Sequence, residues 1–288
     1  MKKENYTIIL FYKFTLIKNP EKVRDQQRKI AETFNLKGRI LIAKEGINAT
    51  LEGKTKDIKS YQKKSRSSKL LSGVVFKESQ GTGKAFTKLI VRVRPEVVTL
   101  GAGEFNIKKE TAKSVTVTRL EKMFAKKEDF VVLDLRNEYE INAGYFENTV
   151  NPHLRNFRDL PEKISQLEDL KNKKIVAVCT GGVRCEKATC LLKREGFENI
   201  YQLKDGIHTY LKKFPGKHFK GSLFVFDNRM TTPIVETKKR EVVGSCAFCN
   251  KPCEEFYNDD SVRPSKKIIC CNKCILSYRT TLRKCIPV

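Results

Sequence analysis

Two continuous apolar runs in the middle of the chain constrain its fold more than any other feature. FVVLDLR occupies 130–136 and KKIVAVC occupies 173–179, and helical segments alternate with them. Strands that are apolar on both faces and alternate with helices are typical of a parallel sheet covered by helices. Functional residues of such sheets lie at the carboxyl ends of the strands. We therefore expect a site formed by residues 134–136 and 179–184.

The loop after the second run has the composition of an anion-binding site. Its residues, in order, are Cys179, Thr180, Gly181, Gly182, Val183, Arg184 and Cys185. Glycines permit a tight loop whose N–H groups face an anion, and a helix predicted over 184–197 adds its positive N-terminal end. These groups favour a thiolate at Cys179. We predict Cys179, Arg184 and Cys185 as catalytic residues and residues 180–183 as the anion cradle.

Structural alternatives stand beside these assignments. A cysteine at a strand end can be an inert core residue, although the adjacent glycines and cation favour a reactive thiol at Cys179. Cys185 either resolves a persulfide or sulfenate on Cys179 or packs beneath the loop. Asp134 and Arg136 either bind substrate phosphate and brace the loop or form a structural ion pair. Cys190 is predicted to be a core residue.

The first third of the chain predicts a ferredoxin-like α+β domain. The predicted elements are a strand at 6–14, a helix at 20–34, two strands within 38–53, a helix at 55–71 and a strand at 86–94. This β-α-β-β-α-β order is that of a ferredoxin-like sandwich. In the turn between the middle strands, Gly46 is expected to serve a backbone conformation. Its neighbours Lys44, Glu45 and Asn48 either face RNA or hold the turn.

The cysteines are unevenly distributed and predict a metal site in the tail. None of the ten lies in 1–178, three lie at 179–190, and seven lie at 246–285. In a cytoplasmic chain such cysteines indicate metal or thiol chemistry rather than disulfides. Two C-x-x-C turns separated by residues 250–270 predict one structural zinc ion bound by Cys246, Cys249, Cys271 and Cys274. The remaining candidates to replace a ligand are Cys253, Cys270 and Cys285.

The charge of the chain indicates a polyanionic partner. The formal net charge is +25, and residues 1–100 contribute 23 basic against 9 acidic side chains. Nucleic acid is the natural partner of such a surface, although lysine-rich codon usage is an alternative source of the same excess. Arg155 and Arg158 are either phosphate contacts or solvated surface residues. No apolar run reaches the ~20 residues that a membrane helix needs, so we expect a cytoplasmic protein without a membrane partner.

Several motifs, in order, resemble the YceA-like rhodanese family. They are EGINATLEG at 45–53, FRDLP at 157–161, CTGGVRCEKA at 179–188 and the cysteine-rich tail. The stretch at 134–151 is similar to the D-x-R-x-x-x-E region of rhodanese domains. The spacing from Cys179 to Arg184 is the C-x4-R of a rhodanese loop, whereas the related phosphatases would need arginine at position 185.

The resemblance implies an enzyme that hydroxylates the wobble uridine, position 34 of tRNA, at C5 in an oxygen-dependent reaction. It implies tRNA as partner, O2 as co-substrate and Cys179 as the active, persulfide-forming cysteine; no flavin or haem signature is visible. A persulfide sulfurtransferase and a non-catalytic tRNA-binding module are the alternatives. The expected domains are a basic, tRNA-binding ferredoxin-like domain at 1–95, a linker at 96–114, a rhodanese domain at 115–217 and a cysteine-rich region at 218–288.

Overall fold

The first compact unit, Met1–Thr99, is built on a mixed five-stranded sheet. The computed structural model describes residues 5–232, 241–278 and 282–284. The elements of this unit are β1 (Tyr6–Phe14), α1 (Pro20–Thr33), β2 (Lys37–Ala43), β3 (Gly46–Lys54), α2 (Thr55–Arg66), β4 (Lys77–Gln80) and β5 (Leu89–Val93). The strand order β4-β1-β3-β2-β5 contains the antiparallel ferredoxin-like order, so the predicted fold is confirmed.

Two details of that prediction were wrong. The strand that completes the ferredoxin-like sheet is β4, whereas the predicted strand at 86–94 becomes β5 and pairs parallel with β2 at the opposite edge. The sequence of β4, KESQ, hides it because an edge strand that pairs only with β1 has little apolar alternation. The helix predicted to reach 71 ends at Arg66, where a serine-rich segment competes for its backbone hydrogen bonds.

The second compact unit, Leu100–Val288, begins with a parallel sheet. Its elements to residue 213 are α3 (Ile107–Glu110), β6 (Lys113–Val115), α4 (Val117–Ala125), β7 (Val131–Asp134), α5 (Glu138–Ile141), β8 (Gly144–Phe146), β9 (Thr149–Val150), α6 (Leu160–Lys163), β10 (Ile175–Val178), α7 (Val183–Arg194), β11 (Ile200–Leu203) and α8 (Gly206–Lys213), with 3-10 helices at Phe157–Asp159 and Ile164–Leu170. The order β6-β11-β10-β7-β9 is parallel throughout, as predicted.

Local signals explain the main features of this sheet. Thr116 caps α4 by accepting a hydrogen bond from the N–H of Arg119 at 3.2 Å. All four side chains of β10 are buried, as expected for a central parallel strand. α3 lies within 96–114, the segment expected to be a linker, and β6 begins there. A three-residue edge strand such as β6 is too short to show a period.

The tail adds small antiparallel sheets and little apolar core. Its elements are β12 (Phe219–Gly221), β13 (Leu223–Phe224), β14 (Thr231–Thr232), β15 (Phe256–Asp259), β16 (Lys266–Ile269), α9 (Asn272–Ser277) and β17 (Leu282–Lys284). A small cluster of Ala143, Phe224, Phe256 and Ile269 packs the tail against the end of α5. Among the described residues, no helix combines the length and apolar character needed to cross a bilayer.

Candidate active site and metal centre

Cys179 lies at the base of the predicted loop, directly after β10. Its side chain is 0% exposed, and the N–H of Gly182 donates a hydrogen bond to its sulfur at 3.1 Å. Gly182 has φ +99°, a left-handed conformation that an L side chain rarely adopts, and α7 begins at the next residue, Val183. Gly182 therefore lets the backbone turn its N–H onto the sulfur.

The surroundings of Cys179 favour its thiolate. Burial by itself would raise the pKa of this thiol. The hydrogen bond from the Cys185 thiol, the charge of Arg184, and the N–H groups of Cys185 and Gly182 outweigh burial and lower the pKa to about 6. Burial and the neighbouring thiolate raise the pKa of Cys185 well above its ordinary value. Cys185 therefore stays protonated and donates to a nucleophilic sulfur at Cys179.

This arrangement predicts a thiol that titrates far below the ordinary cysteine range. The absorbance of the Cys179 thiolate is the difference between the wild-type protein and a Cys179→Ser variant. We expect this difference to rise with pH through about 6, because the thiol is protonated below its lowered pKa and ionised above it. A Cys185→Ala background should move the midpoint upward, since Cys179 loses its thiol donor. Ultraviolet difference titration measures both. A midpoint near ~8.5, the value of an unperturbed cysteine, would contradict the cradle.

Arg184 is held by a buried carboxylate that the sequence analysis did not single out. Its Nη1 and Nη2 donate to Oε1 and Oε2 of Glu140 at 2.5 and 2.8 Å, and Nη2 also contacts Oγ1 of Thr180 at 3.2 Å. The hydroxyl of Thr180 donates to Glu140 at 3.1 Å. Burial would raise the pKa of Glu140, but Arg184 and Arg136 hold it below its ordinary value. Glu140 therefore fixes both ends of the loop as a carboxylate.

Asp134 and Arg136 form a buried ion pair that contacts the backbone of Glu140. Both side chains are 0% exposed, and Nη2 of Arg136 lies 2.6 Å from Oδ2 of Asp134. Arg136 also donates to the carbonyl oxygens of Glu140 at 3.3 Å and Gly144 at 2.7 Å. Of the two roles considered for these residues, substrate binding or a structural ion pair, the geometry is that of the ion pair. It positions the helical turn α5, which carries Glu140.

Gly206 was also missed, although it supports the loop from behind. The N–H groups of Ile207 and His208, at the start of α8, donate to the carbonyl oxygens of Cys179 and Thr180, both at 3.0 Å. A Cβ on Gly206 would lie 2.7 Å from backbone atoms of the loop. The sequence contained a signal for each of the two missed residues. Asp205-Gly206 follows a predicted strand, and Glu140 occupies the glutamate position of the D-x-R-x-x-x-E region.

The remaining predicted residues lie elsewhere. Arg158 is exposed in the 3-10 turn Phe157–Asp159. Cys190 is buried in α7, where its thiol donates to the carbonyl of Glu186 at 3.1 Å.

The turn that follows β2 lies in the first unit, and its polar residues hold a neighbouring segment. Glu45 accepts from the N–H of Val97 at 2.8 Å, and Asn48 donates to the carbonyl of Val97 at 3.2 Å. Gly46 has φ +153°, and a Cβ there would lie 2.2 Å from the carbonyl oxygen of Lys13. Lys44 is exposed. The turn chemistry expected for this segment therefore accounts for Glu45, Gly46 and Asn48.

The four cysteines of the two C-x-x-C turns come together in the tail. The sulfur atoms of Cys246, Cys249, Cys271 and Cys274 all lie within 4.8 Å of one another. The distance of 3.6 Å between Cys249 and Cys271 sulfurs is close to the ~3.8 Å edge of a tetrahedron with ~2.3 Å metal–sulfur bonds. This group can hold a metal ion. Cys253 and Cys270 are not members of the four, and Cys285 falls outside the described residues.

Three domain families match the chain. Residues 6–97 match the UPF0176 acylphosphatase like domain, residues 116–213 match the Rhodanese-like domain, and residues 220–286 match the family described as Rhodanase C-terminal. Among solved structures, a rhodanese-related protein from Thermoplasma volcanium aligns with 35% of this chain and 93% of its own, at 25% identity and a TM-score of 0.30.

Whole-length relatives carry the identification. A tRNA uridine(34) hydroxylase from Onion yellows phytoplasma is 40% identical over 92% of this chain and 87% of its own length. One from Bacillus cytotoxicus is 38% identical over 98% of this chain and 87% of its own. The family resemblance predicted from the motifs is thereby confirmed. The chain belongs to the tRNA uridine(34) hydroxylase family.

Proposed function

We propose that this protein hydroxylates C5 of the uridine at position 34 of tRNA, with O2 as co-substrate and Cys179 as the essential thiolate. The observation that carries the proposal is the buried Cys179, whose pKa is lowered to about 6 by hydrogen bonds and a fixed cation. A thiolate at the end of a parallel strand is available as a nucleophile at neutral pH. The activity named for the relatives supplies the substrate and reaction.

The proposed partner, tRNA, fits the charge of the chain. tRNA is a polyanion, and the first unit carries 23 basic against 9 acidic side chains over residues 1–100. Such a surface attracts RNA in a salt-dependent manner. A cytoplasmic location, where tRNA is available, is part of the proposal, and no flavin or haem is required by it.

The principal test is the nucleoside content of tRNA. Mass spectrometry of tRNA from cells lacking the protein should show loss of 5-hydroxyuridine and its derivatives, restored by the wild-type chain. The rhodanese-type loop also suits a sulfurtransferase, which the relatives' named activity disfavours. Loss of thiolated bases with intact 5-hydroxyuridine would select that alternative and refute hydroxylation.

We further propose that the four-cysteine group holds one structural zinc ion. Cys246, Cys249, Cys271 and Cys274 would supply four thiolates and close the coordination sphere, so the ion would organise the tail rather than take part in the oxidation. The purified protein should carry about one equivalent of zinc, as a four-thiolate site does. Chelation should unfold the tail while the rhodanese sheet keeps its structure, because folding of so small a core is coupled to metal binding.

Elemental analysis of protein purified under reducing conditions measures the zinc content. Spectroscopic probes on residues of the tail measure its unfolding on chelation. Cys274→Ser should lose the metal, whereas Cys190→Ser, in the rhodanese helix α7, should retain it. The competing account is redox sensing, in which the tail cysteines pair as disulfides. A metal-free protein with an ordered tail would refute the zinc site.

A further inference from the structure

The second unit contains a cleft of about 760 Å³ whose lining does not include the loop of Cys179. One wall consists of residues between 138 and 158, and the other of tail residues between 243 and 269. The cleft lies in the size range of small-ligand pockets, roughly 300–1,000 Å³. Its charged lining residues, among those described, are Glu138, Arg155, Arg158, Lys266 and Lys267.

The charge of this lining is strongly positive. Four cations and one carboxylate, Glu138, line the cleft, and that carboxylate lies 2.9 Å from Nδ1 of His153. Arg158 and Lys266 are exposed and have no ion-pair partner among the described residues. Uncompensated cations in a recessed surface attract anions more strongly than the same cations on an open face.

The two walls are tied to each other and to the metal centre. Arg155 donates a hydrogen bond to the carbonyl of Pro264 in the opposite wall. Lys266 and Lys267 lie in β16, which runs directly into Cys270 and Cys271. The N–H of Ala247, inside the first C-x-x-C turn, donates to the carbonyl of Ile269 at 2.9 Å. The four-cysteine group is therefore linked through β16 to Lys266 and Lys267.

The cleft also shares an element with the catalytic loop. Glu138 and Tyr139 of the short helix α5 line the cleft, and the next residue of that helix, Glu140, binds Arg184 of the loop. A polyanion held in the cleft would contact the same helical turn that fixes the catalytic arginine. Lys267 lies over the ring of Tyr139, 5.6 Å from its centroid, so an aromatic face borders the cations.

We propose that this cleft binds the phosphodiester backbone of the RNA next to the base that is modified. The inference rests on the proposed function, because it takes RNA as the polyanion. Arginine and lysine contacts to phosphate fix the position and register of a nucleic acid without reading its sequence. In this assignment the basic first unit attracts RNA, and the cleft holds it beside the loop.

The test compares two double variants that remove the same number of cations. Arg158→Ala/Lys266→Ala removes two exposed cations of the cleft. Lys126→Ala/Lys173→Ala removes two exposed lysines of the rhodanese domain that do not line it. Binding of unmodified tRNA is measured by fluorescence anisotropy over a range of salt concentrations. Restoration of 5-hydroxyuridine in cells lacking the protein is measured with the same variants.

We expect the cleft variant to bind tRNA roughly tenfold more weakly, with a log–log salt slope smaller by about 1.4–1.8, since two phosphate contacts are lost. The matched variant should keep both values. Equal affinity and slope in the two variants would overturn the cleft assignment and leave the cleft to another polyanion, such as an acidic protein segment.

The outcome separates this inference from the proposed function. Weakened tRNA binding in the cleft variant, when wild type forms no 5-hydroxyuridine, would support the cleft and refute hydroxylation. Full hydroxylation by wild type with unaltered binding in the cleft variant would do the reverse. A wild-type protein that does not bind tRNA would overturn both.

Discussion

Replacement of Cys179 by serine is expected to abolish formation of 5-hydroxyuridine while leaving the fold and tRNA affinity nearly unchanged. Serine preserves the size of the side chain and can still accept from the N–H of Gly182, which lies 3.1 Å from the sulfur. A hydroxyl does not ionise in surroundings that bring a thiol to a pKa of about 6. The loss should be about 10³-fold or more, as when other enzymes lose their nucleophile.

The measurement is mass spectrometry of tRNA nucleosides from cells in which the variant replaces the wild-type chain. Cys190→Ser is the matched control, because this cysteine lies in the helix that follows the loop and donates to a carbonyl that serine can also reach. Burial raises the pKa of Cys190 to about 12, so its thiolate is not populated at neutral pH. Full modification by the Cys179→Ser variant would remove the catalytic role.

The parts of the fold that could be predicted are those whose signal is local. The four residues of β10 are all apolar and all buried. A continuous apolar run of this kind predicts a central parallel strand without information from any other segment. β4 and β6 could not be found in this way. Each lies at the edge of a sheet, bonded to one neighbour, and β4 contains only polar residues. Their pairing depends on the rest of the sheet rather than on their own sequence.

The same distinction applies to the sites. The loop after β10 and each C-x-x-C turn are contiguous, so residue type and spacing were enough to propose Cys179 and the four-cysteine group. Glu140 reaches Arg184 across a sequence separation of 44 residues. The cleft likewise combines Arg158 with Lys266 from distant segments. Contacts of this kind follow from the tertiary fold and have no local signal. The D-x-R-x-x-x-E region contains Glu140 but does not indicate that its partner is Arg184.

The isosteric substitution Glu140→Gln is expected to cost both stability and activity. Glutamine keeps the shape of the side chain but removes the counter-charge of Arg184, and both side chains of this pair are at most 8% exposed. Removing one member of a buried ion pair typically costs about 3–5 kcal/mol, because the remaining charge is left without compensation. Glu168→Gln is the control, since that carboxylate is 54% exposed and pairs with Lys171 on the surface. It should change the free energy of unfolding by less than about 1 kcal/mol.

The activity of the Glu140→Gln variant separates positioning from charge. The substitution removes a negative charge beside Arg184, which on charge alone would favour the thiolate of Cys179 further. If Glu140 acts by holding Arg184 and Thr180 in place, hydroxylation should fall and the thiolate midpoint should rise above about pH 6, the pKa of the wild-type thiol, because a displaced Arg184 no longer favours the thiolate of Cys179. Urea unfolding, ultraviolet titration and nucleoside analysis measure the three quantities. A variant as stable and as active as Glu168→Gln would show that the catalytic loop keeps its geometry without this carboxylate.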